Sequence, residues 1–160
     1  MLLISLWGCV DGQSGGVLQM YEISTRPWLY LLSQKYNRNI TTFAQIPDSE
    51  FQDLKDKGMD VIWMMGVWEL GPYGLKHDKT DPGLLAYYPT VLQGFTLADV
   101  IGSPYAVVSY TTNPELGSDA DLAKLKARLN AMGLKLMLDF VPNHSAVDCP
   151  WTTSNVNYYI

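Results

Sequence analysis

The feature that most constrains this chain is a pair of short, almost continuously apolar runs, Met59–Trp68 and Leu134–Phe140, each preceded by a helix-patterned segment. A strand that is apolar at nearly every position must be buried on both faces, and parallel sheets covered by helices bury their strands in this way. Before the first run, Pro47 is followed by Asp48 or Ser49 as N-cap. Phe51 and Leu54 then fall on one face and Gly58 supplies the stop, which predicts a helix from Asp48 to Lys57. Before the second run, Ser118 and Asp121 make a capping-box pattern, Leu122, Leu125, Leu129 and Met132 recur on one helical face, and Gly133 ends the segment. An earlier extended run, Val17–Ser24, leads into a turn at Thr25-Arg26-Pro27, and Trp28, Leu31, Leu32 and Tyr36 follow at helical spacing. The expectation is a βαβαβ order, hence an α/β fold with a parallel sheet and right-handed crossovers. No glycine-rich loop follows the first strand, which weighs against a nucleotide-binding sheet. The pattern alone leaves a doubly wound sheet and a (β/α)8 barrel open.

Between Glu69 and Asn113 the text changes, with GPYG, DPG and GSPY supplying breakers and no periodicity that holds. This predicts a long loop after the second strand, and a loop of such length in a compact domain is usually functional. Aromatic residues make up 12% of the chain and several fall in this stretch, where flat rings suit sugar faces or fill a core with a polar handle at its rim.

Composition narrows the function. An apolar fraction of 48% supports a buried core, and a formal net charge of −5 with scattered Lys and Arg gives no basic stripe for a nucleic-acid backbone. No apolar run approaches the roughly 20 residues of a membrane-spanning helix. Residues 1–16, including MLLISLWGCV, are expected to be a disordered or signal-like start, and residues 17–160 a single domain. Cys9 and Cys149 fit no metal-ligand spacing, and cellular location is not indicated.

The segment Asp139-Phe140-Val141-Pro142-Asn143-His144 resembles the first conserved region of the α-amylase family of glycoside hydrolases, Asp-x-Val-x-Asn-His, at the end of the third barrel strand. Its flanks agree: Ser103–Phe140 is similar to the family's Tyr-bearing loop, acidic helix start and strand, Gly58–Gly71 to its second strand, and VLQMYEIS to its first. The resemblance covers about Val17 to Asn157. It implies a partial TIM barrel, the first three βα units of the catalytic (β/α)8 barrel with a long loop after strand two, ending in the loop after strand three.

In such a barrel the strand C-termini and the loops after them form the ligand face, so the resemblance aims Asp139, Asn143 and His144 into one cleft. It assigns His144 hydrogen bonds to sugar hydroxyls, which a neutral imidazole serves with one donor and one acceptor. It makes Asn143 a ligand of Ca²⁺ through its side-chain carbonyl, Asp139 a supporting carboxylate, and Tyr105 the ring that stacks on the same sugar. The pattern departs where many members have Tyr-Asp-x-x-Asp-Tyr, because Ala106 and Ser109 stand in the acidic positions. His77 reads as a solvated loop residue, Trp63, Met64 and Met65 as barrel core, and Trp68 and Tyr73 as rim residues.

Retaining hydrolysis of a glycosidic bond needs two carboxyl groups about 5 Å apart, and the resemblance puts them after later strands. The expectation is therefore a fragment of a glycoside hydrolase acting on α-glucosidic bonds, inactive by itself, with an α-glucan or oligosaccharide as partner and the remainder of the barrel missing. A non-catalytic α-amylase-like binding or partner domain is the alternative, and an unrelated flavodoxin-like domain a third. An open three-stranded sheet would also leave apolar surface and strand edges bare, which predicts poor solubility.

Overall fold

A computed structural model describes residues 17–160. The reading of residues 1–16, with Cys9, lies outside the described residues. The first strand, β1 (Met20–Ser24), runs straight into helix α1 (Thr25–Tyr36). The helix thus begins two residues before Pro27, and the expected turn is absent. Proline is tolerated there because amide groups in the first turn have no intrahelical partner. Asn37 ends α1 in the left-handed conformation, its amide bonding back to Ser33 and Gln34.

Helix α2 (Asp48–Asp56) carries Asp48 and Glu50 in its first turn, where the helix dipole favours negative charge, and buries Phe51 and Leu54. Strand β2 (Val61–Met65) follows, and here the apolar run divides. Gly66 has φ +73, and a Cβ on it would stand 2.7 Å from the Pro104 side chain. The chain turns at this glycine, so Trp68–Leu70 forms a separate strand, β3, rather than extending β2.

The expected long loop is largely ordered. After β3 come α3 (Pro72–Asp78), α4 (Pro82–Val91) and β4 (Val107–Thr112), and β4 pairs antiparallel with β3. Both helices start on a proline, and the Asp81 side chain caps α4 by accepting from the Leu84 amide at 2.9 Å. Neither helix buries a residue fully. Without a buried stripe there is no 3.6-residue pattern to read.

Helix α5 (Asp119–Ala131) has the predicted capping box: the Asp121 carboxylate accepts from the Ser118 amide and hydroxyl, and Ser118 Oγ accepts from the Asp121 amide. These bonds to its charged form, with Lys124 alongside, hold the Asp121 carboxyl down to about 2. Strand β5 (Lys135–Leu138) completes a parallel sheet of order β1-β2-β5. A four-residue helix, α6 (Trp151–Ser154), lies in the tail.

Register decides the faces. Ile23, Met64 and Leu138 are paired across the sheet, and Leu136 pairs with Ile62 on the same side. These residues share one core with Leu29 and Leu32 of α1, Phe51 and Leu54 of α2, and Leu125 and Leu129 of α5. All three helices therefore cover a single face of the sheet. A doubly wound sheet has helices on both faces, so the arrangement is that of a barrel wall. The other face carries the register-paired row Glu22, Trp63 and Met137. Arg128 of α5 clamps the outer layer by donating to the Phe43 and Ile46 carbonyls and pairing with Asp48 of α2. No described helix is long and apolar enough to cross a membrane.

Candidate functional site

The site is built outward from Asp139, which directly follows β5 on the row that continues Lys135 and Met137. Its side chain is buried at 8% exposure and is fully engaged: Oδ1 accepts from the Trp63 indole at 2.9 Å and Oδ2 from the Gly66 amide at 2.6 Å. Its carbonyl oxygen accepts from the Trp68 indole at 2.9 Å. Asp139 thus locks the end of β5 to the bend between β2 and β3. A buried carboxylate needs such partners, because an unpaired one would be far too costly to desolvate. The next link is Tyr110 of β4, whose hydroxyl accepts from the Val141 amide at 2.8 Å while its ring packs edge-on against Trp68.

Beyond this anchor the chain emerges. Asn143 and His144 are exposed, and His144 Nε2 lies 3.1 Å from the carbonyl oxygen of Tyr105. Tyr105 and His144 line one open cleft of about 450 Å³, a volume in the range of small-ligand sites. The phenol of Tyr105 is pushed up by partial burial, and further by the negative charges of Asp139 and Glu22. It is therefore neutral near pH 7 and can both donate and accept.

The four residues singled out from the sequence are not gathered equally. Tyr105 and His144 meet in the cleft. Asp139 lies behind it as a brace, and Asn143 is not among its lining residues. Ca²⁺ takes six to eight oxygen ligands, whereas no group of three or more His, Cys, Asp or Glu that could hold a metal occurs among the described residues. Among the described residues Asn143 therefore stands without a carboxylate cluster beside it.

Tyr73, named above as a rim residue, lines the cleft together with His77, a lining residue that the sequence reading misses. Both belong to α3, so His77 is not simply a solvated loop residue. Their spacing of i and i+4 puts both on one helical face, a signal that becomes visible only once the segment is known to be helical. Asp148 was not singled out either. Its Oδ2 accepts from the Tyr73 amide at 2.7 Å, fastening the first turn of α3 to the loop after β5 across 75 residues of sequence. Gly71 makes room for this tie, since a Cβ there would stand 2.1 Å from Asp148 Oδ1. The lining includes no Asp or Glu, so the cleft offers rings, hydroxyls and imidazoles but no carboxylate pair. Such a surface can hold a neutral polyol; it does not contain the acid pair for cleaving one.

A parallel sheet covered by helices on one face, with a polar and aromatic cleft beyond its strand C-termini, defines the class: a segment of a βα-barrel with its ligand face exposed. Residues 48–159 match the family model "Alpha amylase, catalytic domain", and the chain belongs to the α-amylase family of glycoside hydrolases. Maltase A1 of Drosophila melanogaster is 40% identical over 108 residues, which are 68% of this chain and 14% of that protein. Alpha-amylase SusG of Bacteroides thetaiotaomicron is 40% identical over 50 residues, 31% of this chain and 7% of that one. An alpha-amylase from Lactobacillus plantarum superposes with a TM-score of 0.59 at 25% identity, covering 89% of this chain and 26% of its own. A maltogenic alpha-amylase from Thermotoga neapolitana, at 18% identity and TM-score 0.55, shares the fold over 89% of this chain and 27% of its own. The chain spans about one seventh of the length of the Drosophila maltase it matches.

Proposed function

We propose that this chain is the sugar-holding part of an α-amylase-type glycoside hydrolase that acts on α-glucosidic bonds, comprising the first three βα units of the barrel. Tyr105 stacks on a glucosyl ring and His144 hydrogen-bonds its hydroxyls, while Asp139 orients the loop that bears His144. The observation that carries this reading is the meeting of Tyr105 and His144, 3.1 Å apart at His144 Nε2 and the Tyr105 carbonyl oxygen, in one cleft. The Tyr105 phenol can both donate to and accept from a hydroxyl group, and with Nε2 of His144 engaged by the Tyr105 carbonyl the other ring nitrogen is left to meet one. Asn143 would offer one side-chain oxygen toward Ca²⁺.

Bond cleavage requires carboxylates that the cleft lacks, so the 160 residues alone bind sugar without turning it over. The test is titration with maltose and maltotriose alongside a starch-hydrolysis assay. His144→Ala is expected to weaken binding about tenfold, the size of one or two hydrogen bonds, with no hydrolysis by either chain. Binding that is indifferent to both Tyr105 and His144 would remove the proposal. True turnover by the 160-residue chain would mean that it contains a working carboxylate pair, and would overturn the proposal that it is inactive alone.

One observation favours a second reading, a non-catalytic α-amylase-like binding or partner domain. Ala106 lines the cleft at a position where many family members carry an aspartate. The coding sequence past Ile160 separates the two: the resemblance places the family's second conserved region, Gly-x-Arg-x-Asp, after a later strand, so that segment there would favour the hydrolase, and its absence the binding domain.

A further inference from the structure

The cleft offers sugar-binding chemistry twice. One pair, Tyr105 and His144, comes from the loop before β4 and the loop after β5. The other, Tyr73 and His77, comes from a single helical face of α3. We propose that Tyr73 and His77 form a second sugar-contacting pair, so that the cleft takes a disaccharide or longer α-glucan and α3 sets the preference for chain length. This inference rests on the sugar-binding reading of Tyr105 and His144.

Three features argue that the second pair is positioned for a ligand. Neither ring is consumed by the core: Tyr73 is 57% exposed, and the His77 side chain 54%. The helix that carries them is fastened where it counts, because Asp148, in the loop that also bears His144, accepts from the amide of Tyr73 itself. Leu75 on the same helix rests on Gly102, where an added Cβ would already be in contact at 3.6 Å, so α3 is seated against the segment leading to Tyr105. Each pair thus sets a flat ring face beside a polar imidazole edge, a combination suited to a pyranose ring.

The test compares sugars of different length on the whole chain. Saturation-transfer NMR and fluorescence titration would follow methyl α-glucoside, maltose and maltotriose, using wild type, Tyr73→Ala, His77→Ala, His77→Gln and His144→Ala, with thermal melts to verify folding. Tyr73→Ala and His77→Ala are expected to weaken maltotriose about tenfold and methyl α-glucoside less than about twofold, with His77→Gln recovering part of the loss. His144→Ala should weaken all three sugars. If the α3 variants leave maltotriose unchanged, or weaken every sugar equally, while His144→Ala still weakens binding, the second pair is refuted and the first stands. If wild type binds none of the sugars, or His144→Ala changes nothing, both fall together.

Discussion

The parallel unit and the α3–α4 insert are held in opposite ways. In the parallel unit, Ile62, Met64, Phe51, Leu125 and Leu129 are almost wholly removed from water and interlock across one face of the sheet. In the insert no helix residue is fully buried, and α3 is instead secured by local fits: Asp148 on the Tyr73 amide and Leu75 against Gly102. The first region is specified by packing, which fixes the fold. The second is specified by a few polar and steric points, leaving most of its side chains free to face solvent or a ligand.

The comparison breaks most visibly in the core. Phe51→Ala should cost about 3–5 kcal/mol in chemical denaturation, the usual range for emptying a buried aromatic site, whereas Tyr87→Ala on α4 should stay within about 0.5 kcal/mol. Comparable losses at the two positions would abolish the distinction. Asp139→Ala comes next, since it strips a partner from the Trp63 indole and the Gly66 amide. A loss of about 1–3 kcal/mol for each orphaned buried donor is expected in the same denaturation assay.

Gly71→Val sharpens the contrast from the other side. Its side chain would collide with Asp148, so amide exchange should accelerate across α3 while the global melting temperature moves little. A large drop in melting temperature would mean that α3 belongs to the core unit.

The smallest effect is the acid response of α5. The Asp121 carboxyl is depressed to about 2 in the folded chain, below its ordinary value near 4. Its contribution is therefore complete above about pH 4 and fades as the pH falls through about 2. Asp121→Asn should flatten the stability profile across that window, a change that denaturation at stepped pH would detect.

The same contrast explains what the sequence discloses. The parallel strands and α2 and α5 were legible because burial imposes a pattern: Leu125 and Leu129 recur on one face, and Ser118 with Asp121 announces the helix start. The insert obeys no such rule. In α4 the residues PGLLAYYPTV are apolar without periodicity and include an internal Pro89, so the segment reads as breakers and loop. The split of Met59–Trp68 was hidden as well, because only the close approach of Pro104 shows why Gly66 must turn. For the cleft, a motif drew attention to Tyr105 and His144. Tyr73, His77 and Asp148 stand in no motif, and their proximity depends on tertiary ties that a linear reading does not contain.

The three hydrogen bonds at Asp139 and the Tyr110 bond to Val141 have a thermodynamic consequence. They immobilise the base of the His144 loop before any ligand arrives, and each backbone residue ordered in advance saves roughly 1–2 kcal/mol of entropy at the moment of binding. Association at this face should therefore carry a smaller entropic penalty than closure of a loose loop of equal length.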